Sequence, residues 1–116
     1  MDKIINKIAQ AIYDKKGCNI TGLDISDYST ICDYILIAEG NVDRHVVAIA
    51  NAIQDELRAM GIRPQRIEGL SVGDWVVLDY SQIIIHLFMP GMREIYRLEE
   101  LWSSANICDL KIKAAV

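Results

Sequence analysis

The sequence predicts an α/β fold, a mixed sheet of about five strands flanked by helices, in one domain over residues 1–116. Three observations predict it. Apolar residues recur at helical spacing in two stretches, one at the start of the chain and one after Asp43. Short apolar runs, DYILIA, WVVLD and IIIHLF, have the length of strands. The two kinds of stretch alternate along the chain, and that order sets helices on the faces of a sheet.

The first helix is expected from Asp2 to Lys16. Ile4, Ile5, Ile8, Ala11 and Ile12 form its apolar stripe, Lys15 and Lys16 suit its C-terminal dipole, and Gly17 can end it. NITGLDISD carries the isolated apolar residues Ile20, Leu23 and Ile25 and reads as an edge strand. DYILIA, Asp33 to Ala38, reads as a central strand. The second helix starts at Asp43 as N-cap and runs along Val46, Ile49, Ala50, Ile53, Leu57 and Met60. Gly61 stops it and Pro64 prevents its resumption. RIEG, from Arg66, is a short third strand, and WVVLD and IIIHLF form a hairpin around Tyr80 and Ser81. The last helix is expected from Met92 to Ser103, while the tail NICDLKIKAAV has no assigned element.

The apolar share is 52% and the charged share 24%, the composition of a globular protein rather than a disordered or fibrous one. The run from Ile83 to Pro90 is broken by His86, so no stretch is expected to span a membrane. The first residues mix charges among apolar positions and lack the blocks of a secretion signal, so a cytoplasmic location is expected. A net charge of −4 argues against a partner held through phosphates, DNA included, and favours a partner with basic patches. Cys18, Cys32 and Cys108 stand far apart with no metal-ligand spacing and read as buried free thiols.

Asp79 and His86 invite an enzymatic reading, with Asp79 ending one hairpin strand and His86 in the middle of the next. An even loop would put Trp75 and His86 on one face of the sheet, and an odd one on opposite faces. Their separation along the ribbon and the lack of a nucleophile argue against a catalytic triad. The alternative is a metal-dependent nucleotidyl-transfer or hydrolysis enzyme using strand-end aspartates, Asp33 and Asp79. It lacks a glycine-rich phosphate cradle, and Asp24, Asp27 and Asp33 read as turn residues and caps. His45 reads as a surface residue. In the last helix Ile95, Leu98 and Trp102 form the core stripe, with Tyr96, Glu99 and Glu100 beside it and Arg93 and Arg97 opposite. Tyr96 and Trp75 are therefore the aromatic candidates for a protein interface.

DYILIAEG, DRHVVAIANAIQDEL, RIEGLSVGDWVVLDY, IIIHLF and REIYRLEELW follow one another in an order that resembles the Iojap family, the ribosomal silencing factors. The resemblance covers Asp24 to Trp102. It implies a fold like that of nucleotidyltransferases but no catalysis and no cofactor. It also implies a homodimer when free, and a translation repressor that binds the large ribosomal subunit at its ribosomal protein fourteen. Repression would come from steric blocking of small-subunit joining. Glu68 and Gly69 match the family's EG turn, and Trp75, Leu78 and Asp79 its WVLLD strand. His86 and Phe88 match its VHIF strand, and Arg93, Tyr96, Leu98, Glu99 and Trp102 its final helix. Asn41, Val42 and Asp43 replace the family's small hydroxyl residues, and Ser81 and Gln82 replace its hairpin Gly-Asp. Partner contact is expected from Glu68, Asp74, Trp75, Leu78, Asp79, His86, Phe88, Arg93, Tyr96 and Glu99.

Overall fold

A computed structural model describes residues 2–27, 29–93 and 106–112. The described elements are α1 (Asp2–Asp14), β1 (Cys18–Asp24), β2 (Tyr34–Glu39), α2 (Asp43–Ala59), β3 (Arg66–Glu68), β4 (Trp75–Asp79), β5 (Ile83–Phe88) and β6 (Asn106–Ile107). The strands form one six-stranded sheet in the order β3-β4-β5-β2-β1-β6. Among the described strands β2 and β5 pair in parallel, and the other neighbouring pairs are antiparallel.

Two expectations about the sheet change. The tail supplies a sixth strand, because Asn106 and Ile107 pair with Asp24 and Leu23, and the Cys108 amide donates to the Gly22 carbonyl at 2.8 Å. β1 is therefore not an edge. Leu110 seals this margin, buried against the place where a side chain at Gly22 would sit. The crossover β2–α2–β3 returns a strand parallel in direction to β2. It lands at the far edge, with β5 and β4 between the two.

Both described helices lie on one face of the sheet. Ile5, Ile8, Ala9 and Ile12 of α1 and Val46, Ile49, Ala50, Ile53 and Leu57 of α2 share one core with Leu36, Ala38, Val76, Leu78, Ile83, Ile85 and Leu87. These are alternate strand positions, as a pleat requires. The helix expected from Met92 begins there with Met92 and Arg93; its continuation lies outside the described residues.

The helix ends follow from local chemistry. α1 stops at Asp14, two residues before the expected end. The left-handed residue is Lys16, at φ 67°, and the Gly17 amide reaches back to the Ile12 carbonyl at 2.8 Å. At the end of α2 the expected Gly61, at φ 78°, closes the same motif: its amide meets the Arg58 carbonyl and that of Ile62 the Leu57 carbonyl. The start of α2 differs from expectation. Its N-cap is Val42, which offers no side-chain bond, and the Asp43 carboxylate accepts from the Arg44 amide. His45 compensates. Its Nδ1 accepts the Asn41 amide at 2.8 Å, so its Nε2 carries the proton and donates to the Lys15 carbonyl at 2.6 Å. The residue expected at the surface thus ties the end of α1 to the start of α2.

One buried ion pair organises the other face. Glu39 ends β2 one residue beyond the expected boundary, and its carboxylate meets the Arg93 guanidinium at 3.2 Å, both side chains nearly inaccessible. Arg93 also donates to Thr21 Oγ1 at 2.9 Å and to the Asn19 carbonyl. A register shift in β1 and the left-handed Asn19, at φ 53°, turn that carbonyl toward it. Asn19 Nδ2 in turn donates to Glu39 at 2.9 Å. Arg93→Met should therefore lower stability in urea unfolding by roughly 3–5 kcal/mol, because it strands a buried carboxylate. Adding Glu39→Leu should recover at least half of that loss.

Candidate functional site

The register of β4 against β5 decides which side chains meet. Trp75 pairs with Phe88, Val77 with His86 and Asp79 with Ile84. The even case therefore applies, and Trp75 and His86 share a face. The turn at Tyr80, Ser81 and Gln82 sets this. Ser81 takes a positive φ of 74°, the Gln82 amide reaches the Tyr80 carbonyl at 2.9 Å, and Asp79 Oδ1 accepts the Ser81 amide at 2.8 Å. The Gln82 carbonyl then receives the amides of Asp33 and Tyr34 and locks β2 to the same turn.

Following the pairings across the sheet gives three rows on the face away from α1 and α2. One runs Trp75, Phe88, Glu39, Cys18. The next runs Glu68, Val77, His86, Ile37, Thr21. The third runs Arg66, Asp79, Ile84, Ile35, Leu23, Ile107. Five of the expected contact residues, Glu68, Trp75, Asp79, His86 and Phe88, thus stand on one face although they come from three strands. Leu23, Ile25, Cys32, Ile35, Ile37 and Phe88 are its buried floor, with Trp75, Ile84 and Met92 packed against it.

At the centre is an aromatic group. The Trp75 ring stacks on Phe88 at 5.3 Å and lies tilted beside His86 at 5.9 Å, and His86 and Phe88 are 6.2 Å apart. The indole N–H donates to His86 Nδ1 at 3.1 Å. A nitrogen that accepts this bond carries no proton, so the ring is the neutral Nε2–H form. Burial pushes the imidazole pKa down from its ordinary 6.5 to about 4, which keeps it neutral. A loop delivers the tryptophan. Gly69, at φ 86°, closes a turn with the Gly73 amide, and a Cβ at Gly69 would lie 2.0 Å from the Trp75 carbonyl. Asp74 then accepts the Trp75 amide on Oδ1 at 2.9 Å, and its carbonyl accepts the Met89 amide.

The remaining expected residues fall elsewhere. Leu78 is fully buried on the helix face, and Phe88 is fully buried beneath Trp75. Neither side chain is exposed: Leu78 belongs to the helix-side core and Phe88 to the floor of the other face. Arg93, expected on the open side of its helix, is buried with Glu39. Tyr96 and Glu99 lie outside the described residues. Glu68 is exposed on β3, 3.4 Å from Arg66. Asp79 and His86 are two register positions apart on one face, closer than their separation along the ribbon implied. Each is nonetheless engaged elsewhere, with Ser81 and with Trp75. Of the thiols, only Cys32 is buried, and burial, Asp33 and Asp79 all raise its pKa; Cys18 is exposed. Asp24 is the expected turn residue, its pKa lowered by hydrogen bonds from the Ser26 hydroxyl and amide. Among the described residues no three His, Cys, Asp or Glu side chains are grouped to hold a metal ion. No described helix is long and apolar enough to cross a membrane.

Comparison with known proteins bears on the same elements. A family model described as ribosomal silencing factor during starvation matches residues 1–115. The ribosomal silencing factor RsfS of Bacillus subtilis is 39% identical over 109 residues, 93% of this chain and 92% of that protein. A mouse protein named mitochondrial assembly of ribosomal large subunit protein 1 is 26% identical over 108 residues, 90% of this chain and 47% of its own length. A crystal structure of a Chromobacterium violaceum protein superposes with a TM-score of 0.84 at 30% identity, over 97% of this chain and 93% of that one.

Two tests address how the site is built. Gly69→Ala should lower stability by at least about 2 kcal/mol in urea unfolding, since it adds both a strained φ and a clash with the Trp75 carbonyl. The depressed His86 pKa also has a sign. The unfolded chain takes up a proton as pH falls below 6.5 and the folded one does not until about 4. Stability contributed by neutral His86 is full above 6.5 and is lost toward 4, on the order of 2–3 kcal/mol. Thermal melts of His86→Asn should lack this part of the decline between pH 6.5 and 4.5, and identical slopes for the two proteins would refute it.

Proposed function

The chain belongs to the ribosomal silencing factor family, and on that premise we propose that it represses translation by binding the large ribosomal subunit. Binding is at ribosomal protein fourteen, and the bulk of the bound protein blocks joining of the small subunit. The activity is occlusion in the cytoplasm, with no bond made or broken.

The observation that carries this reading is the face away from the described helices. It gathers a half-buried tryptophan stacked on Phe88 over an apolar floor, with Glu68 and Asp79 on the same face, on a protein of net charge −4. An aromatic anchor within an acidic rim suits a partner with an apolar slot set among lysines and arginines. The mouse relative's name, with its large-subunit assembly, points to the same particle. On the same reading the free protein is a homodimer. The metal-dependent alternative finds no supporting donor set among the described residues, where Asp79 is already bonded within its own turn.

Co-sedimentation with purified large subunits tests the placement. Trp75→Ala and Tyr96→Ala should each weaken binding by about 2 kcal/mol, roughly thirtyfold, as loss of an aromatic anchor does. Circular dichroism should show both variants folded, and each should release the block on subunit joining in proportion. Unchanged co-sedimentation of the double variant would move the interface to another surface.

A further inference from the structure

We propose that His86 is a positioning residue: its Nδ1 accepts the indole N–H of Trp75 and holds that ring as a pre-oriented, wholly apolar anchor for the ribosomal partner. This rests on the function proposed above and adds the chemistry of the site that receives the tryptophan.

Three observations carry it. The bond between Trp75 Nε1 and His86 Nδ1 is 3.1 Å long and joins diagonal neighbours on one face, Trp75 on β4 and His86 on β5. Phe88, directly opposite Trp75, stacks on the indole at 5.3 Å and 23°. The ring is thus held by a stack and by a bond at its nitrogen. The Trp75 backbone is held as well: its amide donates to the Asp74 carboxylate, and its carbonyl faces Gly69, where a side chain would collide with it. A side chain ordered before binding loses little freedom on docking, and that saving appears as affinity.

The bond also determines what the anchor can offer. An indole has one polar atom, and here it is spent within the chain. What Trp75 presents is carbon surface. The complementary slot is therefore lined by aliphatic side chains or proline, with no acceptor required at the indole nitrogen. A histidine suits the task better than a carboxylate would. It supplies a neutral acceptor at a site where a charge would be desolvated beside two aromatic rings.

The test separates positioning from mere packing. In the ¹⁵N-labelled protein, a scalar coupling across the hydrogen bond should link Trp75 Nε1 to His86 Nδ1, with the imidazole in its Nε2–H form. His86→Leu removes the acceptor and keeps an apolar filler. It should weaken co-sedimentation with purified large subunits about tenfold or more while the unfolding midpoint holds. His86→Asn restores an acceptor at the δ position and should recover binding to within about threefold of the native protein. In a Trp75→Phe background, which has no N–H to hold, His86→Leu should have no further effect. An equal loss in both backgrounds, or a loss that follows a fall in stability, would make His86 an ordinary packing residue. Native protein that binds without the coupling overturns the positioning role alone. Native protein that shows the coupling without binding overturns the ribosomal reading and the anchor with it.

Discussion

The structure depends on the parity of one hairpin. β4 and β5 lie side by side near one edge of the sheet, and their side chains alternate between a helix-covered face and an aromatic one. A slip of one residue in β4 against β5 would send Trp75, Val77 and Asp79 into the α1–α2 core and push Val76 and Leu78 out of it. The turn prevents this from both sides. Asp79 caps the Ser81 amide, and the Gln82 carbonyl takes two amides from the start of β2. One strained residue, Ser81, thereby fixes an antiparallel pairing and a parallel one together. The aromatic face exists only in that register.

Polar groups are distributed unequally between the two faces, and the inequality is informative. The buried residues of the helix side are all aliphatic, with Tyr34 and Tyr80 packed at their margin and the Tyr80 hydroxyl buried without a hydrogen-bond partner among the described residues. The other side admits a histidine, a tryptophan nitrogen and a buried carboxylate–guanidinium pair. Buried polar groups add little to net stability when satisfied and cost heavily when they are not. A chain that needed only to fold could have continued the aliphatic layer. Placing such groups on one face, each with its partner, gives a surface whose shape and orientation are specified more tightly than apolar packing alone would achieve.

How far the sequence could be read follows from which signals are local. The apolar stripes of α1 and α2, the central run at β2 and the two hairpin strands are periodic patterns within short windows, and they appear where expected. The Gly61 stop is equally local. β6 escaped because a two-residue strand has no period; only its pairing with Leu23 and Asp24 makes it one. The turn's parity was left open because Ser81 and Gln82 have no strong preference for a positive φ. Arg93 was misplaced for a different reason. A glutamate ending a buried strand calls for a cation, yet nothing local in the sequence says which of the 12 lysines and arginines answers. The aromatic face was half legible: its residues were named through the family resemblance, but that Leu78 faces the helices and Phe88 lies beneath Trp75 required the register.

The same register explains why a site that resembles catalysis fits binding better. A general base must be free to reach a substrate proton, and a nucleophile must stand within reach of it. His86 has its Nδ1 committed to an indole, and burial holds it neutral down to about 4. Asp79 has one carboxylate oxygen committed to its own turn. Each group is occupied in holding the chain in shape, and freeing either would loosen the element that supports it. An occluding protein has no such conflict. It needs a face that is rigid before contact and keeps the same form during contact, and bonds that would hinder an enzyme serve that purpose directly. In this fold the hairpin aspartate is bonded to its own turn and the hairpin histidine to the Trp75 indole.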